Sequence, residues 1–200
     1  EDAGIPIEEV ARESLMHYSA RGAHQGVVAL VPRFVYADLE DVLRTVGVDS
    51  RALIVVLDHV TDPGNLGAVV RTVEVAGGSA VIIPRERAAS VGSVVHKAAA
   101  GATAHLPIVR VANVVQTLER LKEAGFWVAG ADERANTDLW SAPLEGRLAL
   151  VLGAEGAGLA RLTRERCDFL VSIPVCGRVS SLNVAQAASV LVFEWVRRGS

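Results

Sequence analysis

Short apolar runs recur along most of this chain, each closed by glycine, proline or a polar cluster and separated by stretches with helical spacing. Residues 53–57, 80–83, 106–109, 126–129, 148–152 and 169–173 have the length and composition of buried strands. Between them, 65–76 (stopped by Gly77 and Gly78), 91–100 and 114–124 (followed by Gly125) predict helices, and a short polar helix is expected between the last two strands. Strand-helix alternation implies an α/β fold with a mostly parallel sheet covered by helices on both faces. Near the end, 182–196 predicts a helix apolar nearly all round, with only Asn183, Gln186, Ser189 and Glu194 polar. Such a helix is buried on more than one side, which in a chain this small points to a subunit interface.

The first fifty residues show another pattern. Ile7, Val10, Ala11, Leu15 and Tyr18 fall near helical spacing among charged residues, so 6–20 reads as an amphipathic helix. Residues 27–31 read as a short strand closed by Pro32, and 38–46 as a short helix or linker with Asp38 as its N-cap. One helix and one strand cannot close a core. Residues 1–36 are therefore expected to be the remnant of a small domain, 37–50 a linker, and 51–200 the main domain.

Charge changes this picture slightly. The net charge of −3 does not hold a protein to nucleic acid by bulk electrostatics. The first fifty residues carry nine acids against four arginines, whereas from Pro84 to Arg110 the only acid is Glu86, against Arg85, Arg87, Lys97 and Arg110. That stretch is a candidate phosphate-facing surface. Two cysteines, Cys167 and Cys176, and five scattered histidines give no disulfide framework and no metal-ligand spacing. With no signal peptide or membrane-length apolar run, the expectation is a cytoplasmic protein.

Three stretches carry candidate chemistry. After the first strand of the main domain comes DHVTDPGNLGAVVRT, in which Asn65 lies in or near a helix cap, Gly64 and Gly67 permit close approach, and Arg71 offers a fork of donors to a phosphate or carboxylate. The run 148–152 ends in GAEGAG, three glycines with Glu155. The run 169–173 leads through a second glycine loop to Ser181-Leu182-Asn183. Two strands thus deliver glycine loops to one sheet edge, where open α/β sheets bind ligands. There is no P-loop, and the glycine spacing is not that of a dinucleotide fingerprint.

The segments DPGNLGAVVRT, LGAEGAGL…SIPV and SSLNVAQA…FE resemble the three motifs of the SpoU (TrmH-like) branch of the SPOUT RNA methyltransferases, over about residues 52–198. The segment AHQGVVA at 23–29 further resembles the RlmB-like subgroup, whose members methylate a guanosine 2′-oxygen in large-subunit ribosomal RNA. The resemblance implies a SPOUT-type fold with a C-terminal trefoil knot, S-adenosylmethionine as cofactor, a homodimer and no membrane. RNA is the implied partner, ribosomal RNA first and transfer RNA as the alternative. It makes residues 1–36 the end of an RNA-binding domain and 51–200 the catalytic domain. It places Asn65, Arg71, Glu155, Ser181 and Asn183 at catalytic positions, and Gly153, Ile173 and Leu182, with Ala129 and Gly130, at the cofactor. Arg71 is expected to stabilise charge on the attacking oxygen, with action as a base kept as the alternative. A catalytically silent RNA-binding relative and a small-molecule-binding α/β protein are the competing readings. The first would be expected to lack Arg71 or Asn65, and the second leaves the basic stretch unexplained.

Overall fold

A computed structural model describes residues 4–18, 24–48 and 51–199. The chain forms two compact units, residues 1–34 and 35–200.

In the smaller unit, the helix expected over 6–20 is shorter. It forms only as α1, Arg12–Tyr18, with no buried residue; positions 19 and 20 lie outside the described residues. Helices of this length depend on burying an apolar face, and Ile7 and Val10 are exposed. The strand expected at 27–31 is absent. Residues 24–27 make a turn, closed by the Val27 amide donating to the His24 carbonyl at 2.9 Å, and residues 28–34 form no helix or strand.

The larger unit opens with α2, Leu39–Val46, capped by Asp38, whose carboxylate accepts from the Glu40 and Asp41 amides. This helix lies where a short helix or linker was expected, with Asp38 at the expected cap. Its Val42 and Leu43 are buried in the main core, which ties the segment to the sheet. Six strands come next: β1 Ala52–Asp58, β2 Ala80–Pro84, β3 Ile108–Val111, β4 Trp127–Ala131, β5 Arg147–Gly153 and β6 Phe169–Val171. All pair in parallel, in the order β3-β2-β1-β5-β4-β6. The helices between and after them are α3 Pro63–Val75, α4 Ser93–Ala99, α5 Val114–Glu123, α6 Arg161–Glu165 and α7 Val184–Arg198.

Side chains alternate across a sheet, and both faces are covered here. On one, Ile54, Val56, Ile82, Ala149 and Val151 meet Val42 and Leu43 of α2 and Val114, Leu118 and Leu121 of α5. The alternate positions Leu53, Val55, Leu57, Leu148 and Leu150 are equally buried. So are Leu66, Val69, Val70 and Val73 of α3 and Ala188, Leu191, Val192 and Trp195 of α7, two helices that pack on each other. Connections leave β1 toward β2 and β5 toward β6, in opposite directions. The β1–β5 pair, in register from Ala52 with Arg147 to Asp58 with Gly153, is therefore the point where the sheet opens a crevice at its carboxyl edge.

Candidate active site

At that edge the glycine loop after β5 folds back on itself. The Ala154 amide donates to the Gly158 carbonyl at 3.1 Å and the Gly158 amide returns to Ala154 at 2.8 Å. A β-carbon on Gly153 would overlap the Gly158 backbone, so the neck admits only glycine. Gly156 and Gly158 have positive φ and open space beside them.

Three elements converge on Glu155 in this loop. Asp62, not Asn65, caps α3: its carboxylate accepts from the Asn65 amide at 2.7 Å, and Pro63 takes the first helical position. Asn65 lies inside the first turn with its side chain released from capping. Its Nδ2 donates to Glu155 Oε1 at 2.8 Å. Asn183 caps α7 through Oδ1, accepting from the Ala185 amide at 2.9 Å. Its Nδ2 donates both to Asn65 Oδ1, at 3.0 Å, and to Glu155 Oε1. Two carboxamides thus share one carboxylate oxygen, a network that fixes side chains from three distant parts of the chain.

Beside the network lies a cleft of about 510 Å³, within the range of small-molecule sites. Gly153, Glu155, Ile173, Ser181, Leu182 and Asn183 all line it. Ala129 and Gly130 do not. Ala129 is fully buried, and a β-carbon on Gly130 would meet Cys167 Sγ at 2.7 Å and Leu170 Cδ2 at 2.8 Å, so that stretch faces the interior. The cleft wall begins one residue later, with Ala131, Asp132, Glu133 and Arg134, and Asp132 pairs with Arg164 at 2.7 Å. None of these four was expected from the sequence, although a polar run just beyond a strand's carboxyl end is a usable signal. Arg71 stands apart. It is exposed, six residues beyond Asn65 and about 120° around the helix from it, and makes no hydrogen bond or ion pair among the described residues. Burial pushes the Cys167 thiol up to about 12, so it offers no nucleophile at neutral pH.

Of the four cations between Pro84 and Arg110, Arg85, Arg87 and Lys97 are exposed. Arg110 instead lies over the Tyr36 ring at 4.8 Å and donates to the Arg85 carbonyl at 3.1 Å, a structural role. Among the described residues no helix is long and apolar enough to cross a membrane.

The chain is similar to known proteins. A 23S rRNA (guanosine-2′-O-)-methyltransferase RlmB of Pseudomonas putida is 45% identical over 197 residues, covering 97% of this chain and 78% of that protein. A putative TrmH family tRNA/rRNA methyltransferase YacO of Bacillus subtilis is 41% identical, covering 98% of this chain and 78% of that protein. Among solved structures, the SpoU methyltransferase AviRb of Streptomyces viridochromogenes in complex with AdoMet superposes with a TM-score of 0.72 at 33% identity, over 81% of this chain and 62% of that one. An AdoMet-bound rRNA methyltransferase of Sinorhizobium meliloti gives 0.73 at 30% identity, over 82% and 61%. Residues 52–193, which hold every element of the site, match the SpoU rRNA Methylase family, and the chain belongs to that family.

Proposed function

We propose that this protein transfers a methyl group from S-adenosylmethionine to a guanosine 2′-oxygen of 23S ribosomal RNA, as a cytoplasmic homodimer. The observation that carries the reading is the Glu155–Asn65–Asn183 network, which joins all three motifs at the rim of a cleft. The cleft suits the cofactor. Leu152, Val171, Ile173 and Leu182 give it apolar walls for a purine, and the glycine loop supplies backbone groups unobstructed by side chains. When bound, S-adenosylmethionine supplies a methyl carbon activated by a sulfonium. A trefoil knot belongs to this reading.

The chain's own residues position and stabilise. Asn65 and Asn183 are locked by Glu155, so little ordering remains to be done when substrate arrives. Ser181, exposed at the cleft, is free to contact the ribose. Arg71 is assigned to the phosphate beside the target ribose and to the negative charge that builds on its 2′-oxygen as the proton passes to solvent water at this exposed edge. A guanidinium stays charged in proteins, which favours stabilisation over action as a base. In this reading residues 1–36 belong to an RNA-binding domain and 51–200 carry the chemistry.

Purified protein, S-adenosylmethionine and unmodified 23S rRNA should yield 2′-O-methylguanosine in nuclease digests analysed by mass spectrometry, at one mapped position. Methylation of transfer RNA instead would move the substrate to the alternative. Methylation of neither RNA would overturn the assignment.

A further inference from the structure

Asp58 ends β1 after six apolar residues and is itself fully buried. A buried carboxylate is costly unless hydrogen bonds compensate it, and an apolar residue would serve the core as well. Both of its oxygens are engaged. Oδ1 accepts from His59 Nδ1 at 2.5 Å, where His59 holds a left-handed backbone with φ 64°. Oδ2 accepts from the Ala160 amide at 2.8 Å. Ala160 is where the glycine loop ends and α6 begins.

This second bond has consequences for Glu155. The loop leaves β5 at Gly153, which pairs with Asp58 across the sheet. Its neck is closed by the reciprocal Ala154–Gly158 bonds, which set the loop's shape but not its inclination. Inclination needs a hold from outside the loop, and the β1–α3 junction provides two. Asp58 holds the exit at Ala160, and Asn65, seven residues on, holds the tip at Glu155.

We infer that Asp58 is a positioning residue for methyl transfer: through the Ala160 amide it sets the glycine loop so that Glu155 meets Asn65 and Asn183. The inference rests on the function proposed above.

The hold can be cut from either side. Asp58→Ala removes the acceptor. Ala160→Pro removes the donor and keeps the acidic residue, whose carboxylate the ring carbon pushes away from the loop, at a residue that is exposed and whose φ of −58° already suits proline. Each should lower kcat on 23S rRNA by about 10²-fold, the scale of an ångström-level misplacement, with KM for RNA little changed. Because the effect runs through Glu155, either change made on top of Glu155→Ala should cost no more than about 2-fold further. Hydrogen exchange gives a reading independent of activity: the amides of 154–159 should lose protection in both variants. Should Asp58→Ala fail to fold, Ala160→Pro decides alone. Should the unaltered protein methylate no RNA, the functional reading falls by itself, and amide protection still judges the hold. Losses that multiply with Glu155→Ala, unchanged kcat, or unchanged protection would each overturn the inference.

Discussion

Glu155 is fixed by residues 90 and 28 positions away, and a single carboxylate oxygen accepts from both Asn65 and Asn183. Work at this site divides between groups that are already held and one that is not. Arg71 has no partner among the described residues, so its guanidinium is free for an anion that arrives with the substrate. Arg71→Ala should therefore lower methyl transfer by about 10²- to 10³-fold, the usual cost of losing a charge-stabilising donor. S-adenosylmethionine affinity by calorimetry should stay within a few-fold, because Arg71 does not line the cleft. An equal loss of cofactor binding would mean that the two roles are not separate. Gly153→Ala should do the opposite. The added methyl must displace the Gly158 backbone, opening the neck of the loop that forms the cleft wall. We expect loss of cofactor binding together with about 1–3 kcal/mol of stability, read by urea denaturation.

Among the elements, the last helix is the clearest case of a sequence pattern needing a structure to explain it. Glu194, buried within an apolar helix, accepts from Arg197 at 2.8 and 2.7 Å and from Arg198 at 2.7 Å. These bonds, those of Arg197 foremost, hold its carboxyl down at about 2. Its folded value lies below its unfolded one, so its contribution is present above the ordinary carboxylate range and is lost as pH falls from about 4.5 toward about 2. Glu194→Gln should cost stability at pH 7, and the gap from the parent should close across that acid window in denaturant titrations. A gap independent of pH would show that shape, not charge, matters at this position. The strands were legible because fully buried parallel strands read as unbroken apolar runs. Their ends were less so. Residues 106 and 107 drop out of β3, where Pro107 has no amide to give the ladder. Ser172 leaves β6 to pair with the β4–β5 connection. The 38–46 segment read as either a short helix or a linker because only Val42 and Leu43 bury, too few to mark a core helix by periodicity. Most of the site was named through family motifs, since spacing alone cannot bring Asn65 to Glu155; the long-range β1–β5 pairing does that. Asp58 was invisible for a related reason: one aspartate after an apolar run reads as the strand's end.

For the whole molecule, the open question is what covers the outer face of the α3–α7 pair. Thr72 Oγ1 and Ser189 Oγ lie 3.1 Å apart at the seam of these helices. Beyond it, Val75, Val190 and Phe193 are exposed, at 64%, 36% and 47%. The apolar circumference that the sequence gives α7 is thus met on one side by the sheet and α3, while the other side is left uncovered in a single chain. Scattered surface apolar residues need no explanation, but a cluster on two packed helices is the usual mark of an interface. If a second copy covers it, Val190 is exposed in the free chain and buried in the pair, which makes it a clean probe. Val190→Glu places a charge that the lone chain can leave in water, so the fold should survive with near-normal circular dichroism. In the dimer the same charge would be buried without a partner, at a cost of several kcal/mol. Sedimentation should therefore find the parent protein as a dimer and the variant as a folded monomer at the same concentration. A parent that sediments as a monomer, or a variant that remains a dimer, would show that this face is not where two copies meet.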